Sequence, residues 1–404
     1  MKVLFIAGSD FTIHPNHRAH HFVTFLEEYA DCVDTISLKR FYSGPSFAGP
    51  WTRFWQGLRE GRGNAVEIIE SQSGTHIIIQ RLPGRLDYIA QDIWACFHLQ
   101  RLFDQEYDFC VFGNPDNVFI PWFLKKKGVI KTVIYDDWDY YCGFDNSWFV
   151  KLLIKIREKM CVSMSDTVVS VGNLLSELRK RQGAKRTCVI LNGVNYKLFA
   201  KAQQKKTHPP TLIYIGKLAD EYGIDISLKG FSQVLREIPA AKYLIVGYNE
   251  GQYSRYLQDL ADGLGISNNV TFLGQKRYEE LPDILAQADI GVALFKPNDL
   301  MKYTFPLKVV EYMAAGLAVV GTKIGETGIL IAEAKSGDAL DCSPDRFAHV
   351  VINMFSDEAR LLQCRENARE YAKRYDWSVL FSAFFEYIGF QVAPEDVGER
   401  SAAV

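Results

Sequence analysis

The chain has 404 residues, 48% hydrophobic and 23% charged, with a formal net charge of −2, which leaves room for two ordinary globular domains and excludes the strongly basic surface of a nucleic-acid binder. No apolar run reaches the roughly 18 residues of a membrane span. The eight cysteines are scattered with no C-x-x-C pair, as expected of buried thiols in a reducing cytosol rather than disulfides or zinc ligands.

The first apolar run, Val3 to Ala7, is too short for a signal peptide and reads as a strand within Lys2–Gly8. A polar loop follows, then a helix with Ala19, Phe22, Val23, Phe25 and Leu26 on its apolar side. Strand, loop and helix open a doubly wound α/β domain, which binds ligands at the carboxyl ends of its strands. Four histidines fall between His14 and His21, but their spacing fits no zinc pattern. The expected role is a polar acceptor cleft, with Asp10, Arg18, His20 and His21 as its candidate residues.

Val33–Leu38 is the next strand. From Lys39 to Asn64 the periodicity fails, and Trp51, Phe54 and Trp55 alternate with basic residues among glycines and prolines. Amphipathic rings beside cations suit the interface of an anionic membrane. Trp122 with Lys125, Lys126 and Lys127 repeats the pattern, and Trp148–Met160 reads as an amphipathic basic helix. Thr75–Leu82 and Tyr107–Gly113 read as strands, Asp87 to Phe103 as a helix between them.

Lys131–Tyr135 is a buried strand that leads into Asp136, Asp137 and Asp139. Like charges so close raise one another's pKa, so at least one carboxyl should hold its proton more tightly than a free Asp. That is how a general base is poised, and Asp139 is the candidate. Asp166–Val171, Leu174–Arg181 and Thr187–Leu191 continue as strand, helix and strand. The polar, proline-closed stretch 201–210 is the predicted linker between domains 1–200 and 211–375. In the second domain Thr211–Ile215, Lys242–Val246, Val270–Leu273, Ile290–Phe295 and Leu317–Val320 alternate with helices, which demands a parallel sheet. Gly216 and Gly247 each follow a buried strand, where close approach to a ligand is easiest.

The stretch Phe305 to Val320 is the most informative. Pro306 suits a helix start, Gly316 a left-handed end, and Lys308 and Glu311 lie three apart on one face. A helix N-terminus beside a lysine attracts phosphate, and a carboxylate one turn on can accept hydrogen bonds from a ribose diol. Pro306 to Gly316 resembles the nucleotide-sugar signature of GT-B glycosyltransferases, the family-4-like group 1 enzymes in particular. The resemblance implies an α/β fold of two Rossmann-like domains facing a cleft, the last helix (376–392) crossing back to the first domain ahead of a tail (393–404).

It also implies a donor site of Gly216, Lys217, Gly247, Gln275, Tyr303, Pro306, Leu307, Lys308 and Glu311. Lys308 would meet the diphosphate and Glu311 the ribose. No metal is required in such a site. Tyr303 stands where retaining members carry a glutamate, and Tyr222 where a second basic residue is usual. The missing glutamate favours inversion with Asp139 as base, as in a loosely similar GT-B glucuronosyltransferase of xanthan assembly. The expected substrates are a UDP-sugar or other nucleotide sugar and a lipid-linked saccharide acceptor. The expected place is cytoplasmic, peripheral on the inner face of the cell membrane, in surface polysaccharide assembly. The alternatives are a non-catalytic nucleotide-binding subunit and a retaining transferase.

Overall fold

The computed structural model describes residues 1–7, 18–39, 52, 55, 59, 65–82, 86–144, 147–202, 208–248 and 252–389. The chain forms two compact units, Met1–Ile190 with Phe381–Val404, and Leu191–Leu380. It therefore passes between units at 190/191 and again at 380/381, whereas the sequence puts the division at 201–210.

The first unit contains β1 (Lys2–Ile6), α1 (Arg18–Tyr29), β2 (Cys32–Lys39), β3 (Val66–Glu70), β4 (Thr75–Gln80), α2 (Leu86–Phe97), β5 (Tyr107–Phe112), α3 (Phe119–Lys126), β6 (Ile130–Asp137), α4 (Trp148–Met164), β7 (Thr167–Ser170), α5 (Asn173–Arg181) and β8 (Thr187–Val189). Its sheet has the order β3-β4-β2-β1-β5-β6-β7-β8, parallel except for the antiparallel edge strand β3. Strand order reverses between β1 and β5, which opens a crevice at their carboxyl ends. The apolar runs of β1, β4, β5 and β6 are buried on both faces, as a parallel sheet requires.

The second unit contains α6 (Tyr196–Phe199), β9 (Thr211–Ile215), α7 (Ile224–Glu237), β10 (Lys242–Val246), α8 (Tyr253–Gly263), β11 (Val270–Gly274), α9 (Leu281–Leu285), β12 (Ile290–Ala293), α10 (Asp299–Tyr303), α11 (Leu307–Ala314), β13 (Ala318–Thr322), α12 (Gly325–Ala334), β14 (Gly337–Leu340), α13 (Pro344–Ser356), α14 (Glu358–Ala372) and the start of α15 (Trp377–Tyr387). Its parallel sheet runs β11-β10-β9-β12-β13-β14, with the reversal between β9 and β12. In the first unit α15 ends against α1: Phe381 stacks on Phe22 at 4.7 Å, and Phe385 lies 5.3 Å from Phe25. Each such pair contributes about 0.5–1.5 kcal/mol beyond its area.

Strands β3 and β14 escape the sequence reading. The first is an exposed edge strand, and the second, Gly-Asp-Ala-Leu, has no apolar run. The helix predicted over Asp87–Phe103 is α2 plus a separate 3-10 turn at Gln100–Leu102. Strand β6 runs two residues beyond its predicted end, through Asp136 and Asp137. Among the described residues no helix is long and apolar enough to cross a membrane.

Candidate functional site

The second unit carries a cavity of about 310 Å³ at the carboxyl ends of its strands, and Gly216, Lys217, Gly247, Gln275, Leu307, Lys308 and Glu311 all line it. Three strand ends converge there. Gly216 N–H donates to Val246 O at 3.0 Å, and Gly247 N–H to Gly274 O at 3.0 Å. Gly247 is so tightly placed that a Cβ would stand 1.8 Å from the Gly216 carbonyl oxygen. Gly216 has φ +130°, which strains any side chain. Only glycines let the two backbones approach this closely.

Helix α11 forms the opposite wall, and two anchors fix its pose. Gly316, at φ +76°, closes a Schellman turn: its N–H donates to Met313 O and that of Leu317 to Tyr312 O. At the switch point β9 and β12 pair only at Ile290 and Gly291, and the fully buried Tyr312 fills the opening. Its hydroxyl accepts from Ile215 N–H at 2.9 Å and donates to Val292 O at 3.2 Å. Gly291 makes room for it, since a Cβ there would meet the ring at 2.3 Å.

So held, α11 aims Lys308 and Glu311 into the cavity. The Lys308 Nζ lies 4.1 Å from the Tyr214 ring centroid, 4.5 Å from that of Tyr222 and 5.5 Å from that of Phe295. It donates to Tyr214 Oη at 3.0 Å, while that hydroxyl donates to Lys217 O at 2.6 Å. Ring faces attract the ammonium but cannot replace water fully. Burial therefore pulls Lys308 down to about 7, with Glu311 opposing the shift. Burial likewise lifts Glu311 to about 7, against the pull of Lys308. The site thus holds a lysine and a glutamate that both titrate near neutrality, each poised to change charge when a ligand binds. Tyr303 and Pro306 lie just before α11 and are not among the cavity's lining residues. Sequence reading missed the cage. Tyr214 sits in a strand buried on both faces, where no alternation marks a functional ring.

In the first unit the three carboxylates separate sharply. Arg18 is not an open acceptor contact: its guanidinium grips Asp136 through Nε–Oδ2 at 2.9 Å and Nη2–Oδ1 at 2.8 Å, both side chains 4% exposed. Asp137 is fully buried and held by Arg179, which also binds Glu158. Burial nonetheless raises Asp137, the arginine opposing it. Asp139 lies two residues past β6 and is half-buried, and among the described residues nothing donates to it and no cation pairs with it. Burial first, then the charge of Asp137, pushes it up to about 7. Both Asp137 and Asp139 are thus raised, but burial and not crowding of like charges is the main cause.

The segment around Asp139 is pinned to β5 from both sides. Trp138 lies over Gly113, where a Cβ would stand 1.9 Å from its Nε1, and Tyr141 Oη donates to Gly113 O at 2.9 Å. His20 and His21 are half-buried in the first turn of α1. Asp10 lies outside the described residues.

Residues 196–371 match the family Glycosyl transferases group 1. A D-inositol 3-phosphate glycosyltransferase of Corynebacterium urealyticum is 30% identical over 190 residues, 45% of this chain and 44% of that protein. The chain thus spans less than half the length of that relative. The putative teichuronic acid biosynthesis glycosyltransferase TuaH of Bacillus subtilis is 27% identical over 281 residues, 64% of this chain and 67% of that protein. Among solved structures, HepE of Anabaena in complex with UDP superposes with a TM-score of 0.72 at 17% identity, over 96% of this chain and 99% of that one. A sucrose-phosphate synthase from Thermosynechococcus elongatus gives 0.71 at 16% identity, over 96% and 98%. Residues 196–371 are therefore a glycosyl transferases group 1 domain, in a chain whose two Rossmann-like domains have the GT-B fold.

Proposed function

We propose that the protein transfers a sugar from a nucleotide diphosphate sugar, a UDP-sugar foremost, to a lipid-linked or polysaccharide acceptor in cell-surface glycan assembly. The observation that carries this reading is the cavity with Lys308 and Glu311 on one wall and the close glycine pair Gly216–Gly247 on the other. Glu311 accepts hydrogen bonds from the ribose diol. Lys308, Lys217 and the start of α11 face the diphosphate and stabilise the charge that grows on it as the sugar departs, a task a divalent cation performs elsewhere. HepE binds UDP, which supports the choice of base, and TuaH supports the assignment to a surface polysaccharide.

The acceptor hydroxyl attacks the anomeric carbon as Asp139 takes its proton, and the nucleoside diphosphate leaves. A single displacement of this kind inverts the anomeric centre. Incubation with a panel of nucleotide sugars and a membrane-lipid extract, followed by mass spectrometry, should show one sugar added to a lipid-linked product. NMR of that product should show the anomeric configuration opposite to the donor's. Binding of UDP with no transfer from any donor would mean a nucleotide-binding subunit, and a retained configuration would remove Asp139 from the role of base.

A further inference from the structure

Helix α4 presents an apolar face that nothing among the described residues covers. Trp148 is 77% exposed, Leu152 47% and Ile156 51%, one turn apart along a single stripe, and Phe149 flanks it at 43%. The opposite face is ordinary core, with Ile154, Cys161 and Val162 buried. A helix that leaves its largest ring and a row of aliphatics in water marks a contact surface.

Charge says what the contact is. Lys155 and Lys159 are exposed on the border of the stripe, one turn apart, and neither forms an ion pair among the described residues. The single acidic residue of α4, Glu158, is buried on the far side against Arg179. The exposed face is therefore apolar and purely cationic. A second copy of the chain would set lysines against lysines across a two-fold axis, which is repulsive. An anionic bilayer satisfies both features, because the rings and aliphatic chains enter the headgroup boundary while the ammonium groups meet lipid phosphates.

Right-handed crossovers put α2 and α3 on the same side of the sheet as α4, and they too expose Ile93, Phe97 and Trp122. Of the other basic residues expected at lipid, Lys125 is engaged by Asp166 at 2.5 Å. Trp55 is exposed, while Trp51 and Phe54 lie outside the described residues.

We propose that α4 is the membrane-docking helix of this protein, lying in the interface of an anionic lipid surface with Trp148, Leu152 and Ile156 immersed and Lys155 and Lys159 at the phosphates. This rests on the proposed lipid-linked acceptor for its purpose alone, and its test uses neither donor sugar nor acceptor. The full chain should co-sediment with phosphatidylcholine vesicles containing phosphatidylglycerol and far less with phosphatidylcholine alone, the binding falling with added salt. At roughly 1 kcal/mol per basic residue near the surface, Lys155→Gln with Lys159→Gln should weaken that binding about thirtyfold.

Trp148→Ser, at a site too exposed to matter for folding, should weaken it as well. UDP affinity by calorimetry and the melting temperature should stay unchanged in both variants. Wild-type protein that ignores anionic vesicles, or variants that bind them as well as wild type, would overturn the proposal. So would a dimer in light scattering that Trp148→Ser dissolves while vesicle binding persists. Loss of sugar transfer with vesicle binding intact would count against the proposed reaction and leave the docking helix standing.

Discussion

Asp139→Asn is expected to slow sugar transfer by about 10²–10⁴-fold, the usual contribution of a general base. Asparagine keeps the shape of the side chain and loses the ability to take a proton. No hydrogen bond among the described residues depends on Asp139, so nothing in the fold should notice the change. The sign of the pH effect follows from its raised pKa. Only the carboxylate accepts the acceptor's proton, so the wild-type rate should fall as pH drops below about 7. Ionising Asp139 in this half-buried position costs folded-state stability as pH rises through about 7. The Asn variant escapes that cost and should be no less stable than wild type at alkaline pH. Near-normal turnover in Asp139→Asn, with loss of turnover in His20→Ala or His21→Ala, would place the base on α1 instead.

Lys308→Ala should lower turnover by about 10²–10³-fold, the scale for removing one preorganised charge stabiliser. Ground-state UDP binding should suffer less, because the leaving diphosphate gains negative charge only as the sugar bond breaks. In the free protein burial holds the ammonium at about 7, so above that pH Lys308 is mostly neutral. A bound diphosphate favours the charged form, and binding at pH 8 should take up a proton at this residue. Calorimetry in buffers of different ionisation enthalpy should therefore show more proton uptake by wild type than by Lys308→Ala. Equal uptake in the two proteins would mean that Lys308 does not meet the diphosphate.

The centre of the second unit was legible because its information is local. Pro306, Lys308, Glu311 and Gly316 fall within eleven consecutive residues, and a helix start, a helix face and a helix end can each be read at that range. Strands β9, β12 and β13 were equally plain, since burial on both faces leaves continuous apolar runs. What the sequence hid was long-range pairing. Asp136 and Asp137 lie beyond the predicted end of the strand, yet they continue β6, paired with β7 and gripped by arginines from 118 and 42 residues away. The same distance problem turned Arg18 from a candidate acceptor contact into a buried ion-pair partner. The aromatic cage of Lys308 draws on β9, the turn before α7 and the segment just after β12, and no spacing rule connects those positions.

The central claim is that the cavity beside α11 holds the nucleotide of a nucleotide sugar, with Glu311 on its ribose. Titration of UDP into wild type and Glu311→Ala by calorimetry tests it most directly. Loss of hydrogen bonds to a charged group, about 1.5–3 kcal/mol, predicts affinity weaker by roughly 10–150-fold in the variant. The same UDP affinity in both proteins would contradict it.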